Sequence, residues 1–275
     1  MRASFAHAPS PLVIGVIRER TADDCIAAIR QNEYAGADAY DLHLSVLDEE
    51  FRNEESIRKI LQCTALPVLA LNYNQNYARE TYEAAEDDRI GLLRLSAGAG
   101  VSAVDMQGYS FSPEVKFAFA KEYAADLPFA AKCPNEVALA PEAVARQVAF
   151  IDEMHQRGVE VLISCHTGVY LNTEETLALA RLFEARGADV IKLVMPCDTD
   201  EQLAEQFTTL LTLKNEIACT VHMHCSGSKG AITRVVNPML GAHLSFCVER
   251  YGINQVSDQL PLRNYAEALR LLRIK

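Results

Sequence analysis

The sequence holds no apolar run near the roughly 18 residues that a bilayer-spanning segment needs, and Met1 to Ser10 lacks the long apolar stretch of a secretory leader. These absences argue against a membrane protein, and the chain is expected in the cytoplasm. Basic residues are short: 26 Lys and Arg stand against 37 Asp and Glu, a net charge of −11. That balance argues against nucleic acid as the main partner. It leaves room for a small anionic ligand, because one local arginine outweighs a global surplus of acid. No CxxC pair occurs among the eight cysteines, so neither a thiolate zinc site nor a disulfide framework is expected. The thiols read as small buried hydrophobes. No glycine-rich dinucleotide fingerprint follows the first apolar strand, "VIGVIRERT". No Ser/Gly/Pro-rich linker or low-complexity tract divides the 275 residues, which are read as one domain.

What is present is a regular alternation of short apolar strands and amphipathic helices. The strands are expected at Val13–Arg18, Ala39–Ser45, Val68–Tyr73, Ala103–Gly108, Val161–Thr167, Val190–Pro196, Thr220–Cys225 and His243–Val248. Most are rich in Val, Ile and Leu, as parallel strands buried on both faces are. Leu203, Phe207, Leu210 and Leu211 fall on one helical face that Asp198 or Thr199 can cap. Leu179, Leu182 and Phe183 repeat the pattern, as do Ile57, Ile60 and Leu61. Gly158 and Gly187 stand where helices end before the next strand. Eight strand–helix units of this size define an α/β protein, a (β/α)₈ TIM barrel, over an open doubly wound sheet. Residues 109–140 lengthen the interval between strands four and five and are expected to add a helix and a loop.

Active sites of such barrels form at the carboxyl ends of the strands. The polar residues there are few: Asp41, His43 and Ser45, then Asn72 and Tyr73, Asp105 and Gln107, His166, Lys192, and His222 with His224. Lys192 interrupts the apolar strand "GADVIKLVMP". A buried ammonium without a partner costs several kcal/mol, so this lysine is either paired with a carboxylate such as Asp105 or deprotonated. A neutral amine attacks a carbonyl to form an imine. His166 ends the preceding strand in "VLISCHTG", where an imidazole can take and return a proton near neutral pH. Arg234, in "CSGSKGAITRVV", suits a substrate carboxylate. Lys229 in the same loop reads as solvated.

These surroundings resemble type I 3-dehydroquinate dehydratase. The segment "ISCHTGVYLNTEETLALARLFEARGADVIKLVMPCDTDEQLAEQ" is similar to that family's histidine strand, helix and lysine strand. "SGSKGAITRVVNPMLGAHLSF" and "INQVSDQLPLRNYAEALRLL" are similar to its substrate loop, last strand and closing helix. The resemblance implies a Schiff-base lyase. Lys192 forms the imine, and His166 removes the C2 proton and helps expel a hydroxyl as water. Arg234 clamps the carboxylate and Gln255 closes over the site. No cofactor or metal is needed, since the iminium is the electron sink. The resemblance also implies a small anionic oxo-acid substrate, the shikimate pathway and a homodimer.

The first half departs from the family. Asp41, His43 and Ser45 stand where it has a glutamate, an arginine and an aspartate, and Tyr73 replaces a second arginine. Gln107 stands for the glutamate that orients the histidine, and offers it no negative charge. His224 replaces an apolar methionine. Asp41, His43, Tyr73 and His224 are accordingly the substrate-reading candidates. Loss of both arginines is expected to favour a less anionic or larger ligand. The alternatives are an imine enzyme, dehydratase or aldolase, for another oxo-acid; a metal-dependent barrel lyase built on His222 and His224; and a binding protein that has lost part of its site.

Overall fold

The computed structural model describes residues 2–73, 85–112, 119–251 and 259–274. Its strands are β1 (Leu12–Ile17), β2 (Ala39–His43), β3 (Val68–Leu71), β4 (Ala103–Gln107), β5 (Glu160–His166), β6 (Val190–Pro196), β7 (Thr220–Ser226), β8 (Leu244–Val248) and the two-residue β9 (Leu260–Pro261). Its α-helices are α1 (Ala22–Ala35), α2 (Glu54–Leu61), α3 (Glu86–Ala99), α4 (Pro141–Gln156), α5 (Thr173–Glu184), α6 (Asp200–Glu216), α7 (Thr233–Met239) and α8 (Leu262–Leu271). All eight expected strands form, and this succession is the connectivity of the (β/α)₈ fold. The eight cysteines are free thiols, five of them buried.

The residues group into two compact units. In the first (1–105, 156–160 and 244–275), β1 pairs in parallel with β2 and β8, and β2 with β3. β3 in turn pairs with Ala103–Asp105 of β4. Every residue of β1, β2 and β3 is buried, as in parallel strands covered on both faces, and β2 buries Asp41 and His43 among its apolar residues.

The second unit (106–155 and 161–243) is built on β5, β6 and β7, paired in parallel. The Gly108 amide donates to Ser164 O at 2.7 Å, bringing the end of β4 beside β5. The helix after β5 starts on a reciprocal cap: Asn172 accepts from the Glu175 amide, and Glu175 accepts from the Asn172 amide. Thr199 and Gln202 repeat the device at the start of α6. The buried stripe of α6 differs from the apolar spacing. Gln206, Thr209, Leu210 and Leu213 are buried, whereas Leu211 is 45% exposed. A satisfied polar pair decides this rotation: Asn237 Nδ2 donates to Gln206 Oε1 at 3.0 Å and to Met223 O at 2.7 Å.

The described part of 109–140 holds single 3₁₀ turns at Lys121–Tyr123 and Ala130–Lys132. It then runs as a strap along β4 and β5. The Asn135 amide donates to Thr167 O at 2.7 Å, and the Ala138 amide to Gly108 O at 2.9 Å. Gly108 permits this approach, since a Cβ there would stand 2.2 Å from the Glu136 carbonyl oxygen. Gln147 ties the strap down by donating to Gly108 O and Ser110 O at 3.0 and 2.8 Å. Arg186 donates to Gln147 Oε1 and Ala138 O at 2.6 and 2.7 Å, and burial pushes its guanidinium down to about 10. Gln147→Ala therefore removes an acceptor from a buried cation and leaves two carbonyls short of a donor. A loss of about 1–3 kcal/mol is expected, seen as a lower urea midpoint at constant slope. An unchanged midpoint would show that the strap is held by other means.

Candidate active site

The second unit brings three strand ends into register. Ser164, Lys192 and His222 lie level on β5, β6 and β7, and His166, Val194 and His224 lie level two residues further on. Because side chains alternate along a strand, Lys192, His166, His222 and His224 share one face of this sheet. Lys192 is 7% exposed. The His166 side chain keeps 30% of its surface open. A buried amine thus neighbours a more accessible imidazole, which is the juxtaposition expected of Lys192 and His166.

His166 is held by a group absent from the sequence expectation. Glu136 Oε2 lies 2.9 Å from His166 Nδ1 and also accepts from the His166 amide at 2.7 Å. A carboxylate only accepts, so Nδ1 carries the hydrogen and Nε2 is the atom that takes and returns a proton. Glu136 is buried, with φ of +60°. The strap and Gly108 hold it in that conformation. This corrects the inference drawn from Gln107: the negative charge on His166 comes from the segment before α4, not from β4. Gln107 itself is buried at the end of β4. Nothing in "KCPNEVALAP" ties a lone acid to a histidine 30 positions away, so only the tertiary fold reveals the pair.

On β7, His222 Nε2 and His224 Nδ1 stand 2.8 Å apart, both rings buried. Burial, then the positive charge of Lys192 and of Arg234, holds His222 well below the usual histidine range. Burial, then Arg234, does the same for His224. Among the described residues no three His, Cys, Asp or Glu side chains group to hold a metal. Arg234 begins α7, where the Thr233 hydroxyl accepts from the Cys225 amide and donates to Gly230 O, pinning the loop between β7 and the helix. Lys229 pairs with Asp200 at 2.7 Å on the surface, as its solvated reading required. Gln255 lies outside the described residues.

The first unit carries its own polar group. Arg18 Nε donates to His43 Nδ1 at 3.2 Å, which leaves the hydrogen of a neutral ring on Nε2, 3.2 Å from Asp41 Oδ2. Arg18, His43 and Asp41 are all buried. Tyr73 donates to Asp105 Oδ2 at 3.2 Å. His43 and Tyr73 do stand in the two arginine places, and Arg18 adds a cation beside them: a guanidinium at the end of β1 stands against the histidine of β2. The signal was present, since Arg18 directly continues an apolar strand just as Lys192 interrupts one.

The second unit thus sets a buried lysine beside a carboxylate-held histidine on neighbouring parallel strands of a (β/α)₈ fold, a fold that many enzymes share. Comparison with known proteins narrows the class. The family model described as Type I 3-dehydroquinase matches residues 136–275, just over half of the sequence, and the chain belongs to that family. Membership makes it a carbon–oxygen lyase. Similar proteins include the 3-dehydroquinate dehydratases of Methanosarcina acetivorans and Methanosarcina mazei. The first is 28% identical, covering 95% of this chain and 94% of that protein. The second is 25% identical, covering 98% of both. The crystal structure of type I 3-dehydroquinate dehydratase from Clostridium difficile with covalently modified comenic acid superposes with a TM-score of 0.70 at 16% identity. It covers 98% of this chain and 95% of that one.

Proposed function

We propose that this chain dehydrates 3-dehydroquinate to 3-dehydroshikimate through an imine on Lys192. The observation that carries the reading is His166, held at Nδ1 by Glu136 at 2.9 Å and placed on the strand beside Lys192. The lysine amine adds to the substrate ketone, and loss of water leaves a protonated imine. That cation acidifies the adjacent carbon. His166 Nε2 removes the proton, and the enamine expels the β-hydroxyl, which leaves as water with a proton returned from His166. Glu136 stabilises the imidazolium between these steps and keeps Nε2 directed to the substrate. Hydrolysis of the imine then frees the product. The net change is loss of one water, with no oxidant, reductant or metal required.

Arg234 is assigned to the substrate carboxylate, where a guanidinium fits bidentately. On the family resemblance, Asp41, His43, Tyr73 and His224 are assigned to reading the substrate, Gln107 to hydrogen bonding in the site, and Gln255 to closing over it. The same reading makes the chain a single-domain cytoplasmic homodimer serving aromatic amino acid biosynthesis in the shikimate pathway. Among the described residues no helix is long and apolar enough to cross a membrane.

Borohydride reduction with a panel of oxo-acids, read by intact mass and peptide mapping, tests the reading. Dehydroquinate is expected to leave a covalent adduct on Lys192. An adduct with a different oxo-acid alone would keep the chemistry and change the substrate. Absence of any adduct would remove the imine.

A further inference from the structure

Arg186 is a buried cation for which the assigned reaction has no direct use. It stands between α5 and β6, with its guanidinium over the Phe183 ring at 5.4 Å. Nη1 donates to Gln147 Oε1 at 2.6 Å and Nη2 to Ala138 O at 2.7 Å. A buried charge held by two neutral oxygens is a costly way to fill space. What only a guanidinium supplies is a rigid planar fork that reaches two acceptors at once. Here the fork joins α4, through Gln147, to the strap, through Ala138.

Two residues before Ala138 stands Glu136, with φ of +60°, a backbone region that a residue with a Cβ seldom adopts. Such a conformation persists only where its surroundings fix it. Upstream, the Asn135 amide donates to Thr167 O at 2.7 Å, and Asn135 O accepts from the Cys165 thiol at 3.3 Å. The Asn135 side chain also lies against Gly168, where a Cβ would stand 2.2 Å from its Nδ2. This anchor is on the strand that carries His166. Downstream, the Ala138 amide donates to Gly108 O at 2.9 Å, the carbonyl that Gln147 Nε2 also reaches at 3.0 Å. That second anchor is closed by Arg186, which holds both Ala138 and Gln147. All of these residues belong to the second unit.

We propose that Arg186 is a positioning residue for His166: by pinning Ala138 and Gln147 it keeps Glu136 in its left-handed conformation, with the carboxylate on His166 Nδ1. Without the fork the downstream anchor loosens, and Glu136 is free to return to an ordinary negative φ. The carboxylate then leaves the ring, and the hydrogen is no longer committed to Nδ1. An imidazole that spends part of its time with the hydrogen on Nε2 has no lone pair there to take a proton from substrate. Arg186 thus acts on the chemistry through Glu136 and touches neither substrate nor the reacting atoms. The inference rests on the proton-transfer role given to His166 above and extends it to a residue outside the site.

The test compares the full chain with Arg186→Met, Glu136→Gln and the double variant, below the melting transition of each. The first readout is NMR of the His166 ring in protein labelled at histidine nitrogen, assigned by the signals lost in His166→Gln. In the parent at a pH where the ring is neutral, Nδ1 is expected to carry the hydrogen and Nε2 to be bare. In Arg186→Met the two nitrogens are expected to average, as in an imidazole whose tautomers exchange. The second readout is turnover of 3-dehydroquinate. Arg186→Met is expected to lower kcat about tenfold to a hundredfold with KM unchanged. The double variant is expected to be no slower than Glu136→Gln alone, because the arginine acts only through that carboxylate. If Arg186→Met fails to fold, Arg186→Lys keeps the charge, loses the fork and provides the same comparison. A variant at position 186 with a lower melting temperature but the parent's ring signals and kcat would reduce Arg186 to a stabilising contact and overturn the proposal. Losses that multiply in the double variant would overturn it as well. A parent that does not turn over 3-dehydroquinate, yet whose ring signals respond to Arg186→Met, keeps the positioning and removes the substrate.

Discussion

Lys192→Ala is expected to lose turnover by at least about 10⁴-fold and to yield no adduct under borohydride. The size of the effect follows from what the amine supplies. Without the iminium, the proton on the adjacent carbon must be removed against an unassisted ketone, and no other side chain on these strand ends takes over the electron sink. Lys192→Arg makes the same point with the charge retained: a guanidinium stays protonated and offers no lone pair to carbon, so its loss should match that of alanine. If the arginine variant kept activity, the role of position 192 would be electrostatic and the covalent mechanism would be wrong. Folding is controlled by circular dichroism and melting temperature, because burial of an apolar side chain in place of the amine should not unfold β6.

The second large effect is expected at the imidazole. His166→Gln should lower kcat by about 10²–10⁴-fold while leaving the lysine able to trap dehydroquinate, since the amine that adds to the ketone is still in place. The parent and the variant then differ in what accumulates: the variant's adduct carries the mass of reduced substrate, not of reduced product. Glu136→Gln keeps an oxygen near Nδ1 but removes the charge that stabilises the imidazolium. Its loss should be on the order of tenfold to a hundredfold, the range found when the partner that orients a histidine is removed. A Glu136→Gln protein with the parent's kcat would take the carboxylate out of the mechanism.

The metal-dependent alternative drew on the same two histidines that now form a closed contact. His222 Nε2 and His224 Nδ1 stand 2.8 Å apart, and among the described residues no group of three His, Cys, Asp or Glu side chains forms around them. The binding-protein alternative drew on the acid missing from β4. Glu136 removes that premise, because the histidine has its carboxylate from another part of the chain.

Apolar periodicity and turn residues were enough to reveal the strand–helix succession, because a buried parallel strand must be almost wholly apolar and a helix must turn one face inward. A charge inside such a strand is conspicuous on the same ground, which is why Lys192 and His166 were legible from their neighbours alone. By the same argument Arg18 is legible where it continues the apolar run of β1. Other features depend on proximity that no local pattern encodes. Gln206 is buried in α6 because Asn237 meets its amide, and Glu136 reaches His166 because a strap crosses beside a glycine with no side chain to block it. Sequence by itself determined the order of elements and the buried lysine of β6, since both follow from burial along a single element. Which acid meets His166 was decided only by tertiary packing, because that contact joins side chains 30 positions apart by distance and angle rather than by local spacing.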